Sequence, residues 1–321
     1  MRCRMRPAMG LALAIVAWPG SAALADEGGV SFWLPGQYGS FAAVAPSPGW
    51  SMPILFYNYG GSAGRGAALP RGHLLATGLD TSFDGLFIAP TYTPDTMILG
   101  ARASFSLAFA PSYNTSTANV NLGRLSASRS DSVFGGSDLY QTAQLYWNAG
   151  VHNFMAYVAG DIPVGSYNPN RLSNIGIGHA AIDAGGAYTY LNTNTGTEAS
   201  ATLGFTKNFR NPSTDYTNGV DSHLDLGAAQ FLTEHFFVGV VGYYYQQLTA
   251  DKGQLPILGP FESRTRGVGP QIGYNFNVGG VSIYTNVRGY TEFDSYRRVQ
   301  GHSIYVTVNV PLSALFQGHS Q

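Results

Sequence analysis

The stretch VSIYTNVRGYTE (281–292) changes character at every step. Val281, Ile283, Thr285, Val287 and Gly289 fall on one side of an extended chain. Ser282, Tyr284, Asn286, Arg288, Tyr290 and Glu292 fall on the other, because successive side chains of a strand point to opposite faces. An alternation this long matches the ~9–11 residues that a tilted strand needs to cross a bilayer. Two other runs read the same way. SIYVTVNV (303–310) sets Ile304, Val306, Val308 and Val310 against Ser303, Tyr305, Thr307 and Asn309. MILGARASFSLAF (97–109) sets Met97, Leu99, Ala101, Ala103, Phe105, Leu107 and Phe109 against a small, polar or charged face that includes Arg102. An arginine facing lipid at the midplane costs about 2–4 kcal/mol. Arg102 and Arg288 are therefore assigned to the interior of a closed sheet, and the apolar faces to lipid.

The connections carry the same message. Strands read between residues 52 and 312 leave long segments at 61–80, 111–135, 164–179, 210–219, 249–264 and 295–301. Short ones at 93–95, 149–151, 193–196, 234–235 and 279–280 alternate with them. Short turns on one side, long loops on the other and an even strand number describe an outer-membrane barrel. The expectation is an all-β, transmembrane, antiparallel up-and-down barrel of about 12 strands. A soluble β-sandwich or β-helix is the alternative, and neither alternates long and short connections strictly. Closure follows from the solvent, since an unpaired backbone group in hydrocarbon costs several kcal/mol.

Composition agrees. Only 11% of the 321 residues are charged, against Gly 41, Tyr 20 and Phe 18, where a soluble domain carries about 25% charge. Residues 1–25 begin with Arg2, Arg4 and Arg6, continue with AMGLALAIVAWPG, and end at Ala23 and Ala25. This is the pattern of a signal peptide cleaved after Ala25. An uncleaved anchor is the alternative, but the apolar run falls short of the ~20 residues a spanning helix needs. The only cysteine, Cys3, lies in this leader, so the exported chain has no disulfide framework and no Cys-based metal site. With three of 17 basic residues in the leader and 18 acidic residues beyond it, the exported chain is net acidic and offers no nucleic-acid footprint.

No nucleophile elbow, P-loop or HExxH motif occurs in the sequence, so no catalytic residue, cofactor or metal is expected. His223 and Asp225 share a strand face. That spacing suits a metal site, an acid–base pair or a satisfied polar pair in the lumen, and no third ligand is apparent. The candidate lumen and permeation residues are Arg102, His223, Asp225, Tyr284, Asn286, Arg288, Tyr290, Glu292, Tyr305 and Asn309. Mixed charge suits ion passage, and aromatic walls suit small apolar solutes; the plainer alternative is that these charges pair and brace the wall.

SFWLPGQYGSFAAVAPSPGW (31–50) has no charge and neither period. As a tail it would expose Phe32, Trp33, Leu34, Tyr38 and Phe41 to water. Irregular backbone at membrane depth is tolerated inside protein or a wet cavity, and a barrel lumen supplies both. The segment is therefore expected as a hatch in the barrel, with a cap packed beneath the barrel as the alternative.

Several stretches together resemble a known family. SFWLPGQYGSFAAVAPSPGW (31–50), PVGSYNPNRLSNIG (163–176), NPSTDYTNGVDSHLDLGAAQF (211–231) and VGYYYQQLTADKG (241–253) are similar to segments of the MetA-pathway phenol-degradation family. GGSDLY (135–140) is a looser match in which Ser137 interrupts the pattern. The resemblance spans roughly residues 28–312. It implies an outer-membrane barrel found near aromatic catabolism, similar in idea to the fatty-acid and toluene channels that carry an N-terminal hatch. It implies no catalytic residue.

The expected organisation is a signal peptide (1–25), a hatch (26–50), a barrel (51–312) and a tail (313–321). The expected location is the outer membrane of a Gram-negative bacterium. Its partners would be outer-membrane lipid, a small-molecule solute and the barrel-assembly machinery, with no nucleic acid. Passive uptake of small aromatic or hydrophobic molecules is the leading function. A structural or adhesive barrel with partner-binding outer loops is the other.

Overall fold

The computed structural model describes residues 31–64, 68–71, 74–122, 125–253 and 262–313. The leader assigned to residues 1–25 lies outside them, as does nearly all of the 313–321 tail. The strands are β1 (Gly49–Ser62), β2 (Ala68–Arg71), β3 (Leu74–Thr77), β4 (Leu79–Ile88), β5 (Thr91–Thr93), β6 (Met97–Ile98), β7 (Ala101–Ala108), β8 (Pro111–Leu122) and β9 (Leu125–Gly136). They continue with β10 (Leu139–Ala149), β11 (His152–Ile162), β12 (Ala181–Asn192), β13 (Thr197–Asn208), β14 (Val220–Phe231), β15 (Phe236–Gln247), β16 (Arg264–Val278), β17 (Val281–Tyr296) and β18 (Gln300–Val310).

Pairing is antiparallel throughout, and β1 closes on β18 from Met52↔Val310 to Ser62↔Gln300. β4 and β5 form one stave in a single register against β1. β7 and β8 form the next, joined through the Ile88↔Phe109 bridge. β9 and β10 form a third. With β1 and β11 to β18, the ring has twelve staves. Closure leaves the membrane wall no unpaired edge, which is what hydrocarbon demands.

The period-two pattern becomes the two faces of this wall. Phe105, Leu107, Phe154, Val158, Leu203 and Phe205 point outward and are exposed. On β14 the intervening positions Asp221, His223, Asp225, Gly227 and Ala229 are buried. Trp50 packs on Tyr92 near the short-turn end, and His152 stacks on Tyr188 there, where an interfacial aromatic girdle belongs.

Three segments differ from the reading of the sequence. Residues 96–110 are not one strand: Leu99 (φ 52°) and Gly100 (φ 72°) make a turn, and β6 folds back on β7 through Met97↔Arg102. Cross-strand partners share a face, so Met97 lies on the Arg102 side rather than with Phe105 and Leu107. The strand expected at 81–92 breaks at Ala89 and Pro90, where proline has no N–H for the ladder. Residues 111–135, expected as a loop, form β8 and β9, with β8 paired to β4 from Leu79↔Ala118 to Gly85↔Ser112. Both faces of these strands are polar because they extend past the apolar belt, so the composition resembles that of a loop.

Candidate functional site

Residues 31–48 lie inside the ring. The chain turns at Leu34-Pro35-Gly36-Gln37, where the Gln37 N–H donates to the Leu34 carbonyl at 2.9 Å. Proline at the second position and a glycine with φ 81° at the third are the demands of a type II turn. A Cβ on Gly36 would meet the Tyr290 ring at 2.6 Å, so glycine is also needed for the close approach.

Three strands grip this turn. Asp225 of β14 accepts the N–H groups of Gly36 (2.9 Å) and Tyr38 (3.1 Å). Arg288 of β17 donates to the Gly36 carbonyl (3.3 Å) and the Gln37 carbonyl (2.7 Å), and to Asn286 Oδ1 (3.2 Å). Its guanidinium also lies 4.7 Å from the centre of the Tyr305 ring. The hydroxyls of Tyr290 and Tyr305 donate to the Gly36 carbonyl (3.1 Å) and the Pro35 carbonyl (2.8 Å). An irregular segment leaves backbone groups unpaired, and the wall supplies partners one by one.

The flanks are packed as well. Trp33, 1% exposed, stacks on His223 with centroids 3.6 Å apart. His223 Nε2 is 3.0 Å from Asp183 Oδ2, which also accepts the Thr206 hydroxyl at 2.5 Å. Phe32 packs on Tyr140. The Tyr38 hydroxyl accepts from Gln144 at 2.7 Å, and burial holds its phenol well above the ordinary value, so it stays neutral. Phe41 donates its N–H to Glu198 at 2.8 Å and sets its ring edge-on to Phe237. Ser40 accepts from Gln271 at 2.6 Å, and Ala43 donates to Thr189 at 3.0 Å.

The candidate lumen residues thus divide into groups. Asp225, Arg288, Tyr290 and Tyr305 converge on the turn, Asn286 accepts from Arg288 beside it, and His223 meets Trp33. Glu292 lies beyond them toward the long-loop end, where it accepts from the Tyr59 and Tyr243 hydroxyls and the Gly301 N–H. Tyr284 and Asn309 line open space nearer the short turns. Arg102 stands apart on the inner face of β7, its Nη1 buried without a partner among the described residues. Asp183, Glu198 and Gln271 were missed in the sequence. The alternation of Glu198, Ser200, Thr202, Gly204 and Thr206 against Leu203 and Phe205 was the signal for an inward Glu198.

A second segment enters the lumen from the other end. Leu172, Ser173, Asn174, Ile175 and Ile177, between β11 and β12, are buried. Asn114 donates to the Asn174 carbonyl at 2.6 Å, and Asp138 accepts from Gly165 (2.6 Å) and Ile177 (2.7 Å). Between the two segments and the wall of β1, β4, β7 and β10 runs a cavity of about 940 Å³. It extends from Pro48 and Ser313 at the short-turn end to Asp138 and Ile177, past Phe32, Leu34, Phe83, Phe87 and Tyr140.

The family model described as "Putative MetA-pathway of phenol degradation" matches residues 35–308. Among solved structures, an outer membrane channel from Pseudomonas putida F1 is similar at TM-score 0.63 and 12% identity, covering 84% of this chain and 98% of that one. A FadL homologue from Pseudomonas aeruginosa aligns at TM-score 0.44 and 8% identity, over 91% of this chain and 100% of that one. The first likeness establishes a shared barrel fold. No curated protein is similar in sequence to the chain.

Proposed function

The chain belongs to the MetA-pathway phenol-degradation family, and from that premise we propose that it is an outer-membrane channel for passive uptake of small aromatic or hydrophobic molecules. The observation that carries this reading is the cavity of about 940 Å³ in a closed barrel, walled by Phe32, Leu34, Phe83, Phe87 and Tyr140. Ligand sites are commonly concave, mostly apolar spaces of about 300–1,000 Å³ with a few placed polar groups. In this reading the short-turn end faces the periplasm and residues 31–48 form the hatch. The solute passes between hatch and wall, or the hatch shifts to let it through. The hatch is held by hydrogen bonds rather than by regular structure, so it can leave while the wall keeps its own ladder intact. The chemistry asked of the protein is desolvation and guidance, and none of the residues in the lumen is assigned a bond-making role.

The test is the initial uptake of radiolabelled toluene by intact Gram-negative cells with and without the protein. Solute concentration is chosen so that the lipopolysaccharide leaflet limits permeation. A rate that rises with expression supports the channel, and an unchanged rate contradicts it.

A further inference from the structure

Seven carboxylates are buried among the described residues: Asp138, Asp161, Asp183, Glu198, Asp221, Asp225 and Glu292. Six of them accept hydrogen bonds. Asp138, Asp225 and Glu292 take backbone N–H groups. Glu198 takes an N–H and the Ser200 hydroxyl. Asp183 takes Thr206 and His223, and Asp221 takes Asn208. Asp161 differs. Asp183, Glu198 and Asp221 each also keep one buried oxygen unpartnered, but Asp161 accepts a side-chain or backbone hydrogen bond at neither oxygen among the described residues. It is 9% exposed, lines the cavity, and its Oδ1 is buried.

Its surroundings make the difference meaningful. Asp161 pairs across the ladder with Tyr140, and Tyr140 with Ala108. Tyr140 carries the Phe32 ring against its own, so the carboxylate sits beside an aromatic wall. A polar stripe leads toward it along the inner face: Ser104 and Gln144, then Ser106 and Thr142, are cross-strand pairs that line the cavity. The other acid on this cavity is Asp138, already occupied by backbone donors. The cation on its wall, Arg288, is spent on the carbonyls of the turn. An acceptor buried without a donor costs about 1–3 kcal/mol, more when charged, and that cost is relieved if a solute supplies the donor.

We propose that Asp161 is the polar anchor of the solute site, and that the solute class is amphipathic: an apolar, ring-sized body bearing one hydrogen-bond-donating head, ammonium or hydroxyl. The body lies against Phe32, Phe87 and Tyr140 and the head reaches Asp161. The described residues that line the cavity include two acids and one cation, Arg288, which the turn already occupies, and Arg102 of β7 is not among them; this balance disfavours a carboxylate head. The inference rests on the channel reading and deepens it, since it says which solutes the cavity retains.

The test is equilibrium binding of benzylamine, benzyl alcohol and benzoate to the purified exported chain in detergent, by calorimetry. The wild type is expected to bind the amine and the alcohol and to bind benzoate at least tenfold more weakly. Asp161→Asn keeps shape and one acceptor but loses the charge, and is expected to weaken benzylamine about tenfold or more, as loss of a charge-assisted bond does, with a smaller effect on the alcohol. Asp161→Leu is expected to abolish discrimination among the three. Asp84→Asn, on the outer face, serves as a control and leaves binding unchanged. Heat-modifiable gel mobility establishes that each barrel is folded, and the isosteric Asn variant carries the test if Leu does not fold. Wild-type affinities retained in both Asp161 variants, benzoate bound as tightly as benzylamine, or no binding of either donor would each overturn the anchor. The toluene uptake assay separates the two readings: uptake intact with unchanged binding in Asp161→Leu rejects the anchor alone, and absent uptake rejects the channel.

Discussion

Asp225 and Arg288 hold one turn from opposite chemical sides, the carboxylate taking N–H groups and the guanidinium giving to carbonyls. Each is itself buried, so removing either leaves the backbone groups it holds unmatched. Asp225→Asn turns one acceptor into a donor facing an N–H, which costs about 1.5–3 kcal/mol for a hydrogen bond to a charged group. The docked population of the segment should fall roughly tenfold to a hundredfold. Chymotrypsin cleavage at Phe32, Trp33 or Tyr38 in the intact barrel measures this, and a wild-type cleavage rate would contradict it. Trp33→Ala removes the ring stacked on His223 and should cost about 3–5 kcal/mol of segment docking, as large aromatic truncations in cores do. The same proteolysis reads it. Asp225, Arg288, Tyr290 and Tyr305 were legible as interior residues because parity alone assigns them to the inner face. Their shared target was not, since residues 34–37 are about 190 to 270 positions away in sequence and no pattern links them.

At the scale of elements, parity explains both the success and the misreadings. β13 and β17 were legible because lipid on one side and a crowded lumen on the other impose opposite chemistry on neighbouring residues. β8 and β9 were not, because water bathes that end and Ser, Thr and Asn occupy both faces. What makes them strands is pairing, β8 with β4 and β9 with β8, which sequence alone does not display. The turn at Leu99 and Gly100 was hidden by an apolar run that continued through it. Two predictions belong here. Replacing residues 115–132 with a short turn should leave the barrel folded, because the membrane-level pairs Thr91↔Ser106 and Thr142↔Ser106 lie outside the deletion. Loss of heat-modifiable mobility would contradict it. Gly227→Leu places a Cβ 2.5 Å from the Ser40 nitrogen, in a strand whose own ladder needs no glycine. The barrel should form while residues 31–48 become open to chymotrypsin, and a protected segment would contradict it.

For the whole molecule, twelve staves make a ring wider than the ~8-stranded barrels that side chains fill and narrower than ~16-stranded porins with aqueous channels. The intermediate bore is occupied by two pieces of the chain itself: residues 31–48, and the stretch around Ile175 and Ile177. The remaining space of about 940 Å³ is aromatic and one-sided, which suits a slow path for small apolar solutes better than free ion flow. Wall and filling are separate structures. The wall is stabilised by its continuous ladder, and the filling by individual hydrogen bonds and stacked rings. That separation is the central claim, and conductance tests it most directly. In planar bilayers the protein spanning residues 26–321 should show small or absent ion current, and the same protein lacking residues 31–48 should insert as the same barrel with a several-fold larger conductance. Equal conductance in the two proteins would contradict the account.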